Sequence, residues 1–206
     1  NGERSFNYWR GQSAARTMAQ DKAVLTAALG NADYAYFSGI TIAILPPEDR
    51  AHLRDALEMV RANGGQVVFD PNLRPALWSD PQEMRDEIMA SAAVSTIVLP
   101  SHEDEATWFE DSDPEATALR YAACGARTVV VKNGSGPMLT YVGEVMKWHE
   151  PASVKQVIDT TAAGDSFNAG FLGSVIRGTA LPEAVRNGAR VAAQVIQSRG
   201  ALVDLS

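Results

Sequence analysis

A chain of 206 residues, 46% of them hydrophobic, is long enough to bury one substantial core, which makes one domain the expectation. A net charge of −7 argues against a nucleic-acid or anionic-membrane partner, and no apolar run is long enough to span a bilayer. The single cysteine, Cys124, excludes an internal disulfide and no secretory n-region and h-region open the sequence, so a soluble cytoplasmic protein is expected.

The first ten residues, NGERSFNYWR, follow no initiator methionine and read like the middle of a strand and turn, so a fragment is the expectation. Alternation there sets Tyr8 and Arg10 on one side and Trp9 on the other, a pattern that an edge strand with one aromatic face also explains. Residues 34–37 are the next predicted strand, followed by Ser38-Gly39. A helix is predicted over 47–61, with Leu53, Ala56, Leu57 and Val60 on one face and Asn63-Gly64-Gly65 ending it. Strand 67–69 runs into Asp70-Pro71-Asn72, and helix 81–92 leads to strand 96–99. Helices follow at 103–109 and 114–124, the second holding Cys124 as a small buried hydrophobe in an Ala-rich pattern. The apolar run 128–131 predicts a central parallel strand; 139–142 and 144–148, joined at Gly143, predict a β-hairpin. Helices at 164–177 and 181–197 close the chain, the last with Val185, Ala189, Ala192 and Ile196 at helical spacing. Strands alternating with helices of this size predict an α/β fold, a mostly parallel sheet with helices on both faces. Ligands in such folds sit beyond the carboxyl ends of strands. Loops 70–74, 101–104, 132–136 and 159–165 mostly fall there.

Those loops carry the chemistry. In DTTAAGDSFNAGF, residues 159–171, small residues run up to Gly164 and Asp165 and an amphipathic pattern begins at once afterwards. Backbone N–H groups at such a helix start approach a ligand unobstructed, and the dipole there favours phosphate or developing negative charge. A carboxylate beside that anion hole suits a base taking a proton from an attacking hydroxyl. A bare Gly-Asp pair also serves as an ordinary helix cap. In DPNLRPALW, residues 70–78, the prolines stiffen a turn that presents Arg74 just past a strand end. Its guanidinium fork suits a carboxylate or phosphate, although this segment alone is read more readily as a surface arginine on a rigid loop. VVVKNGSGP, residues 129–137, delivers Lys132 into a Gly-containing loop fit for a nucleotide, or leaves a solvated lysine; it lacks the P-loop pattern. The acidic group at His102, Glu103, Asp104 and Glu105 sits in a first helical turn, where the dipole favours carboxylates without any metal. His52 and His149 have no convergent partners in sequence.

Together, GERSFNYWR, SAAR, YFSGI, DPNLRPALW, VVVKNGSGP, DTTAAGDSFNAGF and RGA resemble the 2-keto-3-deoxygluconate kinases among the ribokinase-like (PfkB-type) sugar kinases, over nearly the whole chain. The segment AAGD stands in place of that superfamily's GAGD-type signature, and Tyr-x-Arg with the Asn-x-Arg loop points to this sugar acid. The resemblance implies a ribokinase-like fold whose lid and first strands are largely missing. Residues 1–206 would be the C-terminal portion of a single kinase domain, with 1–10 the end of the lid segment. Relatives begin with a strand and a Gly-Gly-x-x-x-Asn segment that contacts the sugar, followed by a β lid. The implied activity is ATP-dependent phosphorylation of 2-keto-3-deoxygluconate at its 6-hydroxyl. A kinase for a neutral sugar of the fructose or ribose type, or a non-catalytic binding relative, are the alternatives.

Carried over, Asp165 would be the base, and the N–H groups of Ala162, Ala163, Gly164 and Asp165 the anion hole. Tyr8, Arg10 and Arg74 would hold the keto-acid end of the substrate. The nucleotide would contact Asn72, Lys132, Gly134 and Gly136, with the cradle at Ala162 and Gly164 and a wall around Asn187 and Ala193. Mg²⁺ would arrive with ATP, bridging phosphates more than it binds protein. Asp104 stands where many relatives have the Glu of Asn-x-x-Glu, and Ser101 replaces the Asn, so Asp104 would meet the metal only through water. The implied partners are ATP and a small sugar acid, and a homo-oligomer of the full-length protein is compatible with the resemblance.

Overall fold

The computed structural model describes residues 13–205, which fall into two compact units. The larger spans the described residues up to Gly134 together with Leu139–Lys147; the smaller holds Ser135–Met138 and residues 148–205.

The sheet consists of strands β1 (Tyr34–Ser38), β2 (Gln66–Asp70), β3 (Ile97–Val98), β4 (Thr128–Val131), β5 (Met138–Val142) and β6 (Val145–His149), which lie side by side in chain order. The first four pair in parallel. β4 pairs antiparallel with β5, so it is the junction between the parallel and antiparallel parts rather than a strand parallel to both neighbours. An apolar run records burial on both faces, which both pairings share, and carries no sign of its neighbours' direction. The predicted hairpin is present. Gly143 and Glu144 both take positive φ, 54° and 66°, as a type I′ turn requires.

Helices fill the connections: α1 (Lys22–Leu29), α2 (Gly39–Ile44), α3 (Pro47–Ala62), α4 (Pro81–Ala93), α5 (His102–Phe109) and α6 (Pro114–Ala123). α3, α4 and α6 each open on a proline, which lacks only an N–H that a first turn leaves unpaired anyway. Asp80 and Asp113 cap α4 and α6 by accepting from Gln82 N and Ala116 N. α2 went unpredicted because its β-branched apolar sequence, GITIAI, matches a strand as well. The Ser38 N–H donating to Thr41 Oγ1 at 3.4 Å starts it as a helix. The core packs Phe37, Leu57, Phe69, Met84, Ile88, Val98, Tyr121 and Val129 into one cluster, with Phe37 stacked on Phe69 at 4.7 Å. Cys124 is only half-buried and ends α6 as its C-cap, which corrects its expected place inside the helix.

In the smaller unit, α7 (Ala163–Ile176) packs closely on α8 (Leu181–Val195). The approach depends on Gly188, where a Cβ would lie 2.8 Å from the Phe167 carbonyl oxygen. Gly188→Ala should therefore cost about 1–3 kcal/mol by overpacking, read as a lower urea midpoint. An unchanged midpoint would mean that the helices part freely. Among the described residues, no helix is long and apolar enough to cross a membrane.

Candidate active site

The larger unit gathers polar side chains at the carboxyl ends of its parallel strands, the edge at which such sheets take ligands. Asp70 ends β2 and Lys132 follows β4; their Oδ1 and Nζ lie 3.3 Å apart, with only 4% and 12% of the side chains exposed. Tyr36 Oη reaches Asp70 Oδ2 at 3.5 Å. Lys132 is fixed through its backbone as well, donating to Pro100 O while accepting from His102 N, both at 2.8 Å. The predicted nucleotide lysine is thus held by a buried carboxylate, and the sequence reading missed that pairing. A signal was present, because Asp70 follows the buried apolar run Val67, Val68 and Phe69, where a charge is tolerated only if paired.

The turn after β2 is tight. Asn72 adopts a φ of 36°, and the Pro71 carbonyl crosses so close to Gly39 that a Cβ there would stand 1.9 Å from it. Only glycine admits that crossing, which locks the β1 and β2 ends together. The turn delivers Arg74 toward α5, where Nη1 lies 3.7 Å from Asp104 Oδ2 and donates to Leu73 O at 2.6 Å. Burial pushes the Asp104 carboxyl above the usual carboxylate range, against the pull of the Arg74 and Lys132 charges. Gly134, with a φ of 54°, turns the exposed loop after Lys132. No group of three or more His, Cys, Asp or Glu among the described residues is placed to hold a metal ion. The carboxylates that do line this edge, Asp70 and Asp104, fit a divalent cation whose ligands come mainly from phosphates and water.

Beneath α5 lies a cluster that sequence reasoning also missed. Glu105, fully buried, accepts from Tyr121 Oη at 2.9 and 3.0 Å and from Arg120 Nη2 at 2.6 Å. Arg120 also grips Asp111 through Nε and Nη2, and its guanidinium lies 3.8 Å over the Phe109 ring and 4.4 Å over that of Tyr121. Burial pushes the Glu105 carboxyl up to about 7, while Arg120 and the Tyr121 hydrogen bond pull it down.

In the smaller unit, Asp165 stands in the first turn of α7 with its side chain exposed. Ala162 caps that helix in the left-handed region, φ 62° and ψ 16°, and its carbonyl accepts from Ser166 N at 2.8 Å. Ala163 N donates to Thr160 O at 3.2 Å, so this amide of the predicted anion hole is already engaged. Gly164 and Asp165 lie among the first-turn amides that no earlier carbonyl of the helix can satisfy. Asp159, almost fully buried, clasps the loop: its carboxylate accepts from Thr161 N at 3.0 Å and from Gly200 N at 2.9 Å. Asn187 is engaged within the helix pair, donating to Ser174 Oγ at 3.1 Å, and Ala193 is buried. Gly136 is half-buried in Ser135–Met138. Tyr8 and Arg10 lie outside the described residues.

Comparison with known proteins matches residues 1–206 to the pfkB family carbohydrate kinases. The 2-dehydro-3-deoxygluconokinase of Haemophilus influenzae is 40% identical over 98% of this chain and 66% of that protein. The chain thus spans about two thirds of the length of that relative. Among solved structures, a PfkB protein from Polaromonas sp. JS666 superposes with a TM-score of 0.80 and 32% identity, covering 93% of this chain and 62% of that one. A fructokinase from Vibrio cholerae, bound to fructose, ADP and calcium ion, gives 0.71 and 26%, covering 82% and 56%.

Proposed function

Because the chain belongs to the pfkB family of carbohydrate kinases, we propose that it serves the ATP-dependent phosphorylation of 2-keto-3-deoxygluconate at its 6-hydroxyl. The observation that carries this choice of substrate is the 40% identity, along almost the whole chain, to a kinase named for that acid. Arg74, a cation at the ligand edge of the sheet, supports it, because an acid needs a positive partner and a neutral sugar does not. A neutral-sugar kinase is the second reading, favoured by the likeness to a fructose-bound fructokinase.

In the proposed reaction Asp165 takes the proton of the sugar's 6-hydroxyl as that oxygen bonds to the γ-phosphorus of ATP. The bond from the γ-phosphorus to the β–γ bridging oxygen breaks, and ADP leaves. The amides opening α7 offset the charge that develops on the transferred group. Lys132, steadied by Asp70, and the loop through Gly134 and Gly136 serve the nucleotide, as does Asn72. Mg²⁺ enters as part of the ATP substrate, and Asp70 and Asp104 are the carboxylates available to its water shell. A cytoplasmic place for the protein accords with that co-substrate.

A coupled assay of ADP release by the full-length protein with the keto acid, fructose and ribose tests the reading. Turnover restricted to the acid is expected; preference for fructose would shift the conclusion to the second reading, and none on any sugar would end both. Arg74→Ala should lower kcat/KM for the acid about ten- to hundredfold, the equivalent of a charge-assisted contact. Any turnover of a neutral sugar should change far less. Equal losses on both would assign Arg74 to the fold or the nucleotide.

A further inference from the structure

The contact between Arg74 and Asp104 deepens the acid-kinase reading and rests on it. A guanidinium meets a carboxylate best through two parallel N–H···O bonds. Here one nitrogen stands 3.7 Å from one oxygen, too far for a hydrogen bond, and that nitrogen is already given to Leu73 O. Both side chains keep a solvent-facing part, 39% for Arg74 and 33% for Asp104. A pair so long, single-pronged and half-open is easily exchanged for a better one. Asp104 is also crowded by like charge, since Glu103 and Asp70 act on it against Arg74 and Lys132.

We propose that Asp104 is a specificity-determining residue, a resident carboxylate that pairs with Arg74 until the substrate's carboxylate replaces it. A neutral sugar leaves the pair in place. An acid must break it and then be held on Arg74 beside the displaced negative charge, at a cost in affinity. Asp104 thereby sets how strongly the site takes an acid. Relief of that charge at constant shape should favour the acid alone.

Calorimetric titration with 2-keto-3-deoxygluconate, in EDTA and without nucleotide, removes any part that a metal ion could play. Asp104→Asn should bind the acid about three- to tenfold more tightly, and Asp104→Ala should move the same way. On an Arg74→Ala background the Asp104→Asn gain should vanish, because the cation being contested is gone. Unchanged or weaker acid binding by both Asp104 variants overturns the proposal, as does a kcat loss on every sugar with acid affinity unmoved. Intact acid binding in Arg74→Ala alone overturns it too, and separately removes Arg74 from the acid-kinase reading. When Arg74→Ala weakens the acid but the Asp104 variants do not strengthen it, only the role of Asp104 falls.

Discussion

Asp165→Asn is expected to lower kcat about a hundred- to ten-thousand-fold, the usual loss when a general base is removed. The substitution keeps the size and shape of the side chain in the first turn of α7 and deletes only its proton affinity. Nucleotide affinity should therefore stay close to that of the parent, because in the proposed site phosphate would be met by backbone amides and not by this side chain. Single-turnover kinetics with ATP and the sugar acid, alongside nucleotide binding by calorimetry, separates the two effects. Should the Asn variant keep more than about a third of kcat while chemistry limits the rate, Asp165 is not the base.

Arg120→Ala should remove about 3–5 kcal/mol of stability, the range for breaking one side of a buried ion pair. Among the described residues Arg120 is the cation that Glu105 contacts, and its loss leaves that fully buried carboxylate with Tyr121 Oη as its described side-chain partner. The effect should depend on pH in a definite direction. The Glu105 carboxyl already stands at about 7 in the folded state against an ordinary 4.5, so folding binds a proton between those values. The contribution of this group to stability therefore falls as pH rises from about 4.5 to about 7. Without Arg120 the folded value climbs further, and the deficit should be larger at pH 8 than at pH 5. Urea unfolding at both pH values measures it. A loss below about 1 kcal/mol would reduce the cluster to the rank of a surface ion pair.

Much of this molecule could be read from local signals. α3, α4 and α6 begin at the predicted residues because a proline at the first position, or an aspartate before it, states a helix start within a few residues. β4 has its predicted bounds, since a β-branched run of Thr128 and three buried valines has few alternatives. α2 and α1 were not legible: one is a β-branched run as good for a strand, the other short and backed by a single N-capping aspartate, Asp21. The loops that carry the site were legible, but the pairings inside it were not. Asp70 and Lys132 are 62 residues apart, and Arg74 meets Asp104 across a whole helix and strand. Each residue alone is a plausible surface charge, and only the stacking of parallel strands says which charges share an edge. The Asn187 to Ser174 bond was hidden in a comparable way, since only the packing of α8 on α7 brings the two residues together.

Ala162 holds a left-handed conformation that costs an L-residue with a Cβ about 1–2 kcal/mol, in a segment where the related signature begins with glycine. The cradle therefore owes its shape to context, above all to the Asp159 clasp and the Thr160 carbonyl that receives Ala163 N. Tolerance to substitution around the loop becomes conditional on that methyl group. A change in the segment that reaches Asp159 from Gly200 would be borne easily by a sequence with glycine at the cap, and poorly by this one. The two features are thus coupled: with alanine at the cap, the contacts that hold the turn leave their own residues less freedom to be replaced than a glycine there would.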